Sequence, residues 1–403
     1  MTFKRKLLAA AAALALAAGT AHAQISGNVV KIGVMSDMSS LYADIGGPGS
    51  VVAAKMAVED FKAKDKGLNV EVVSGDHQNK PDVGSQLASR WYDADGVDVI
   101  VDVPNSGVAL AISEITKQKN KVFINSGAAS SDLTGAKCSP NTVHWTYDTW
   151  MLAHGTGGAM VKQGGDTWFF LTADYAFGHA LERDTSDVVK ASGGKVLGVV
   201  RHPLNTQDFS SFLLQAQASK AKVIGLANAG GDTINSIKQA SEFGITKGGQ
   251  KLAGLLVFSS DVHGIGLEKA QGLVLTETFY WDLNDQTRAW SKRFAAASGG
   301  KYPTMVHAGV YAGVTHFLKA VAALKSDDGL KVVAKMKEMP TDDPLFGKGT
   351  IRADGRKIHP AYLFEVKKPS ESKGPYDYYK TLATIPADQA FRPLKDGGCS
   401  LVK

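Results

Sequence analysis

Twice along the chain a short apolar run, a polar turn and a helix-period segment follow one another several times in succession. Apolar runs of five to seven residues without strict alternation suit strands buried on both faces, and helix-period segments between them suit crossovers. In the first half the runs are 31–36 (KIGVMS), 69–74 (NVEVVS), 97–103 (VDVIVDV) and 121–125 (KVFIN). Between them, Val51, Ala54, Val58 and Phe61 share one helical face, with Lys55, Glu59 and Lys62 opposite. Pro81 opens a second helix, where its missing N–H costs nothing, and Val83, Leu87 and Trp91 line its apolar side. A third helix is expected over 108–117.

The second half repeats the scheme with 167–172 (TWFFLT), 195–200 (KVLGVV), 222–227 (KVIGLA) and 252–258 (LAGLLVF). Helices carry Asp184 and Val188, then Phe209, Phe212, Leu213 and Ala216, then Ile234, Ile237 and Phe243, the last closed by Gly244 as a left-handed cap. The change-over falls near 146–149. After Gly272 come a strand-like run, helices over 286–297 and 304–324, and a hairpin expected between 349–352 and 361–366 around Ala353-Asp354-Gly355. These elements are too few for a third domain and are expected to pack onto the existing halves. A length of 403 residues suits two domains.

The first 23 residues have the make-up of an export signal. Lys4, Arg5 and Lys6 precede an unbroken apolar run over 7–18, and Ala21, His22 and Ala23 form a small-x-small cleavage pattern. The run is shorter than the roughly 20 residues a spanning helix needs. No cysteine follows the cleavage site, so no lipid anchor is expected. Three of the six surplus positive charges belong to this segment, and the remainder is too weak for a nucleic-acid footprint. Export also permits oxidation of the two cysteines, Cys138 and Cys399. A bridge would tie the C-terminal tail to the body; the alternative is two buried free thiols.

Catalytic signatures are missing. There is no G-x-S-x-G, phosphate loop, H-E-x-x-H or C-x-x-C, and Gly264-Ile265-Gly266 lacks a third glycine at Lys269. His144, His154 and His179 share a region without metal-like spacing, and Asp93, Asp95 and Asp98 suit a solvated loop. Neither cofactor nor metal is expected. In such sheets ligands bind beyond the strand C-termini, near helix N-termini that attract anions. Three small-residue loops meet this condition in the first half: 36–49 (SDMSSLYADIGGPG), 104–107 (PNSG) and 125–131 (NSGAASS). Helix capping by Ser and Asn is the plainer explanation for any one of them. The second half offers 173–178 (ADYAFG), 228–232 (NAGGD) and 259–261 (SSD), with Tyr175 and Phe177 as an apolar wall and Asp232 or Asp261 as acceptor or cap.

With these loops in view, the chain resembles the leucine/isoleucine/valine-binding family of type I periplasmic solute-binding proteins. The likeness rests on KIGVMSDMSSLYADIGGPGSVVAAKMAVEDF, VFINSGAASSDLT, WFFLTADYAFGHALERD and HPLNTQDFSSFLLQAQASKAKVIGLANAGGDTINSIKQASEFGI, and spans nearly the whole mature chain. It implies an α/β fold of two Rossmann-like lobes with parallel-type sheets, joined by a three-crossover hinge. Residues 27–146 plus 278–360 would form the N-terminal lobe, and 147–277 plus 361–403 the C-terminal lobe. It also implies a non-enzymatic, monomeric, periplasmic component of an ABC importer, closing on a solute and presenting it to an inner-membrane permease. A periplasmic sensing partner of a membrane receptor is the alternative, and a secreted serine hydrolase a remoter one.

Position by position, Asn105, beside Ser106, stands where the family has a carboxylate-binding serine. Gly127 and Ala129, flanking Ala128, replace an alanine and a threonine that hold carboxylate and amine. Phe177, next to Tyr175, and Ala229 replace tyrosines of the ligand wall, and Ile45 an aromatic of the side-chain pocket. Ser260 stands near the place of an amine-binding glutamate. Loss of that glutamate shifts the expected ligand from a branched-chain amino acid toward a small carboxylate, aromatic acids included. N-terminal sequencing of the exported protein is expected to begin at Gln24.

Overall fold

The protein is described by a computed structural model over residues 25–403; the expected export segment lies outside these residues. In the first lobe, β1 (Val30–Ser36), β2 (Val70–Asp76), β3 (Val99–Asp102), β4 (Val122–Asn125) and β5 (Thr142–His144) form a parallel sheet in the order β2-β1-β3-β4-β5. Every residue of β3 and β4 is buried, which explains runs without alternation. The three-residue β5, too short to show a pattern, was not expected. In the second lobe, β6 (Thr167–Ala173), β7 (Lys195–His202), β8 (Val223–Ala227) and β9 (Lys251–Gly254) form a parallel sheet in the order β7-β6-β8-β9. Gly244 has φ +65, as a left-handed cap requires.

Two expectations need correction. The 252–258 run is not one strand: β9 stops at Gly254, and 255–258 leave the sheet as buried loop before helix Ser259–Ile265. The chain must leave the sheet there to begin the helix, and Asp261 accepts the Phe258 N–H at 2.9 Å. The hairpin also differs. After β10 (Val274–Glu277), β11 (Thr341–Asp343), β12 (Gly347–Ile351) and β13 (Lys357–Ile358) make a small antiparallel sheet, in which β12 pairs with β13. Pro360, which has no N–H to donate, follows β13. β14 (Ala361–Val366) then pairs with β10 and with β15 (Tyr379–Ile385) on the second lobe. Between β10 and β11, helix Met305–Leu324 returns to the first lobe and packs on helix Gly47–Phe61, β3 and β4.

The chain thus passes between lobes at 145–149, after β10 and at 359–360. Arg356, which is fully buried, fastens the first of these crossovers to the chain entering the third. Its guanidinium donates to the carbonyls of Thr146, Tyr147 and Lys357, faces Asp148 at 3.4 Å and lies 4.2 Å from the Phe391 ring centre. Burial pulls it down to about 10, so it stays cationic at neutral pH. His359 adds a 3.0 Å bond to the Trp145 carbonyl.

Beyond β15 the tail goes back to the first lobe. Arg392 donates to Ser131 O at 2.9 Å, Phe391 packs edge-on to His359, and Cys399 is bridged to Cys138 with Cα atoms 5.6 Å apart. The open question of bridge or free thiols is settled as a bridge. We propose one change to the expected lobe limits: 387–403 belongs with the first lobe rather than with 361–385.

Two outcomes are expected in urea unfolding. Asp148→Ala strands the Arg356 charge and should cost about 3–5 kcal/mol. Cys138→Ser should cost about 2–5 kcal/mol, because the bridge closes a very long loop.

Candidate ligand-binding site

The strand-tip loops of the two lobes face one another, and buried side chains set their shapes. Asp37 organises the loop after β1. It accepts from the N–H groups of Ser40 (2.9 Å) and Tyr42 (2.8 Å), the Ser40 hydroxyl (2.8 Å) and Asn79 Nδ2 (2.7 Å). Burial works the other way, but these bonds hold its carboxyl below the usual range. The loop so formed sends Tyr42 and Ile45 into the cleft, both buried.

After β3 the chain makes a sharp, strained turn, with Asp102 at φ 80 and Val103 at φ 59. The turn places Pro104 in the cleft wall. Asn105 next caps helix Ser106–Gln118, accepting from Gly107 N–H (2.9 Å) and Val108 N–H (3.1 Å). The Ser106 hydroxyl accepts Ser130 N–H at 3.2 Å and so staples the next loop in place. In that loop Asn125 holds Ala128 by both its N–H and its carbonyl. Gly127 donates to Asp102 O (3.2 Å) and accepts the Tyr147 hydroxyl (2.5 Å).

Together these loops close on a narrow chamber with a free volume of only about 10 Å³. Tyr42, Ile45, Pro104, Gly127 and Ala129 line it from the first lobe, and Tyr147 from the first crossover. Tyr175, Phe177, Ala229, Leu256 and Phe258 complete it from the second lobe. Tyr175 and Phe177 stand 5.9 Å apart, and Tyr147 meets Phe258 edge to face at 5.7 Å. The Tyr42 and Tyr175 hydroxyls join across the lobes at 2.6 Å. Burial raises both phenols well into the un-ionised range. Among the described residues, no charged side chain lines this cavity. Beside the hinge a second latch joins the lobes: Asp184 accepts the Ser131 and Thr149 hydroxyls at 2.7 and 2.6 Å.

Six of the residues singled out from the sequence meet here: Ile45, Gly127, Ala129, Tyr175, Phe177 and Ala229. Four sit elsewhere. Asn105 is engaged in its cap, Ser106 and Ala128 lie behind the lining, and Ser260 faces a wider groove between the lobes beside Lys301 and Tyr302. Asp232 neither caps a helix nor reaches the cavity. It accepts from Asn205 and Thr206 N–H groups at 3.2 and 2.9 Å. Tyr42, Pro104, Tyr147, Leu256 and Phe258 were not singled out. Tyr42 stood in a loop already marked, whereas Leu256 and Phe258 were hidden in an apolar run read as strand.

Two α/β lobes, hinged by crossovers and shut on a small aromatic chamber, define a solute-binding protein of the type I periplasmic kind. The periplasmic binding protein family profile matches residues 29–375, and the chain belongs to that family. A periplasmic binding protein from Burkholderia mallei is 56% identical, with a TM-score of 0.91, over 94% of this chain and 100% of that one. A branched chain amino acid ABC transporter periplasmic ligand-binding protein from Burkholderia xenovorans is 42% identical, with a TM-score of 0.82, over 93% and 100%. The Leu/Ile/Val-binding protein homolog 6 of Brucella melitensis is 28% identical over 95% of this chain and 97% of its own. The protein is thus a solute-binding component of the ABC-transporter type, and its relatives bind small ligands rather than transform them.

Gly127 tests the packing of the site. A Cβ there would lie 2.5 Å from Asp102 Oδ1 and 2.7 Å from Pro104 Cα, which is backbone and yields little. Gly127→Ala is expected to cost about 1–3 kcal/mol in thermal unfolding.

Proposed function

We propose that this chain captures a small, largely apolar carboxylate, with aromatic acids as the leading class, and presents it to an ABC permease after export to the periplasm. The observation that carries this reading is the uncharged, tyrosine-rich and phenylalanine-rich lining. A buried α-ammonium requires a charged, hydrogen-bonded partner, and an amino acid shut in this chamber has none. A carboxylate needs donors. The Tyr42–Tyr175 contact uses one of the two phenolic protons and leaves the other to donate.

The chamber is nearly shut on itself, so a guest enters with the lobes apart, and the aromatic lining favours a compact and planar one. Such a guest would touch both lobes at once and so favour the closed form, which is the differential affinity that drives closure. A branched-chain amino acid is the second reading, favoured by the relative from Burkholderia xenovorans that carries that description.

Thermal-shift and calorimetric titrations with benzoate, 4-hydroxybenzoate, benzamide and leucine separate the two. Benzoates are expected to stabilise the protein and leucine to leave it unchanged. Stabilisation by leucine alone would reverse the order. Tyr175→Phe is expected to weaken benzoate by about 10- to 150-fold, the loss of one hydrogen bond to a charged group.

A further inference from the structure

A single partition separates the closed chamber from the wide groove outside it. The groove holds about 1090 Å³ of free space, and Ile45 is the residue that faces both it and the chamber. The partition is the first-lobe loop over 41–45, resting on the start of a second-lobe helix, Gly230–Glu242. Gly231 N–H donates to the Leu41 carbonyl at 3.3 Å, a backbone bond from one lobe to the other.

Gly230 lies at the centre of this contact. A Cβ on it would sit 2.5 Å from the Leu41 carbonyl oxygen, 2.9 Å from Tyr42 Cδ1 and 3.3 Å from Ile45 Cδ1, all three on the opposite lobe. Its φ of +57 also suits glycine. The first lobe thus comes down on a place where a side chain has been left out.

Both flanks are braced. On the first lobe Asp37 holds the Tyr42 N–H, and the Tyr42 carbonyl accepts the Ile45 and Gly46 N–H groups at 3.0 and 3.2 Å. Thr304 Oγ1 donates to the Ile45 carbonyl at 2.6 Å. On the second lobe Asn228 accepts the Thr233 hydroxyl at 2.8 Å, and Asp232 holds the N–H groups of Asn205 and Thr206. Ordinary contact begins at about 3.5 Å, so one added methyl group is relieved by parting the lobes roughly 1 Å here. The 2.6 Å Tyr42–Tyr175 bond, beside the seat, would be stretched past useful length by that parting.

We infer that Gly230 is a positioning residue that sets how far the lobes close: its bare backbone is the seat on which the 41–45 loop shuts the chamber off from the groove. The seat serves an aromatic acid and an amino acid alike, so it stands apart from the reading of the guest. Bulk at 230 leaves the partition ajar, and a trapped solute escapes faster without entering more slowly.

Gly244 supplies a matched control. It follows the same helix at φ +65, and a Cβ there meets nothing within 4 Å. Gly230→Ala and Gly244→Ala therefore carry similar backbone strain, and only the first obstructs closure. Photo-oxidative coupling with a ruthenium complex and persulfate, followed by peptide mass spectrometry, reads the contact with no solute present, since Tyr42 and Tyr175 couple into dityrosine only when the lobes meet. The yield of that crosslink is expected to fall about fivefold or more in Gly230→Ala, as one overpacked methyl group implies, and to stay unchanged in Gly244→Ala. Equal yields in all three proteins, an equal fall in both variants, or no such crosslink in the wild type overturns the proposal. With benzoate as the probe, stopped-flow mixing is expected to show dissociation about fivefold or more faster in Gly230→Ala, with association within about twofold of wild type. Slower association with unchanged dissociation overturns it as well. Absence of benzoate binding bears on the guest alone, and the dityrosine yields then decide.

Discussion

The two-lobed architecture turns on one buried guanidinium. Arg356 binds the carbonyls of the first crossover, faces Asp148 and shelters under Phe391, so strands that leave one lobe and enter the other are held at one point. An arginine can do this because its planar fork presents five donors at fixed angles and keeps its charge when buried. A lysine has neither the span nor the geometry. In this closed arrangement the lobes are further joined by the Tyr42–Tyr175 bond across the cleft and by the bonds to Asp184 beside the hinge.

Much of the fold was legible because parallel strands buried on both sides write themselves as unbroken apolar runs. β1, β3, β4, β6 and β8 were found that way, and Pro81 and Gly244 marked helix ends by their backbone chemistry. The same signal misled at 255–258, where an apolar loop has the composition of a strand because it is just as buried. The partner of β12 was missed because β13 has two residues, too few for any pattern. The β14 and β15 pairing depends on contacts far apart in sequence. At the site, loop positions were legible but roles were not. Asn105 looks identical in sequence whether it caps a helix or grips a ligand, and only the direction of its amide decides.

The chamber also shows how family positions are reused. Where the family resemblance implies an alanine, a threonine and a tyrosine, this chain has Gly127, Ala129 and Ala229, and Tyr42, Tyr147 and Phe258 supply bulk to the lining. Space and polarity are thus redistributed between backbone and aromatic rings. Three acids nearby are turned to other tasks: Asp37 shapes a loop, Asp261 caps Phe258, and Glu277 accepts the Tyr379 hydroxyl at 2.9 Å.

The strap from Cys138 to Cys399 has a geometric corollary. Ser26 N–H is tied to Asp327 of the first lobe at 2.8 Å, and the tail is tied to the same body by sulfur. The second lobe is therefore built from two excursions, each of which departs from one platform and comes home to it. It can swing without dragging either anchored stretch along. A surface tether or fluorescent reporter placed beside Ser26 or Cys399 would ride on the stationary half, and any signal of movement must come from a partner label on the other.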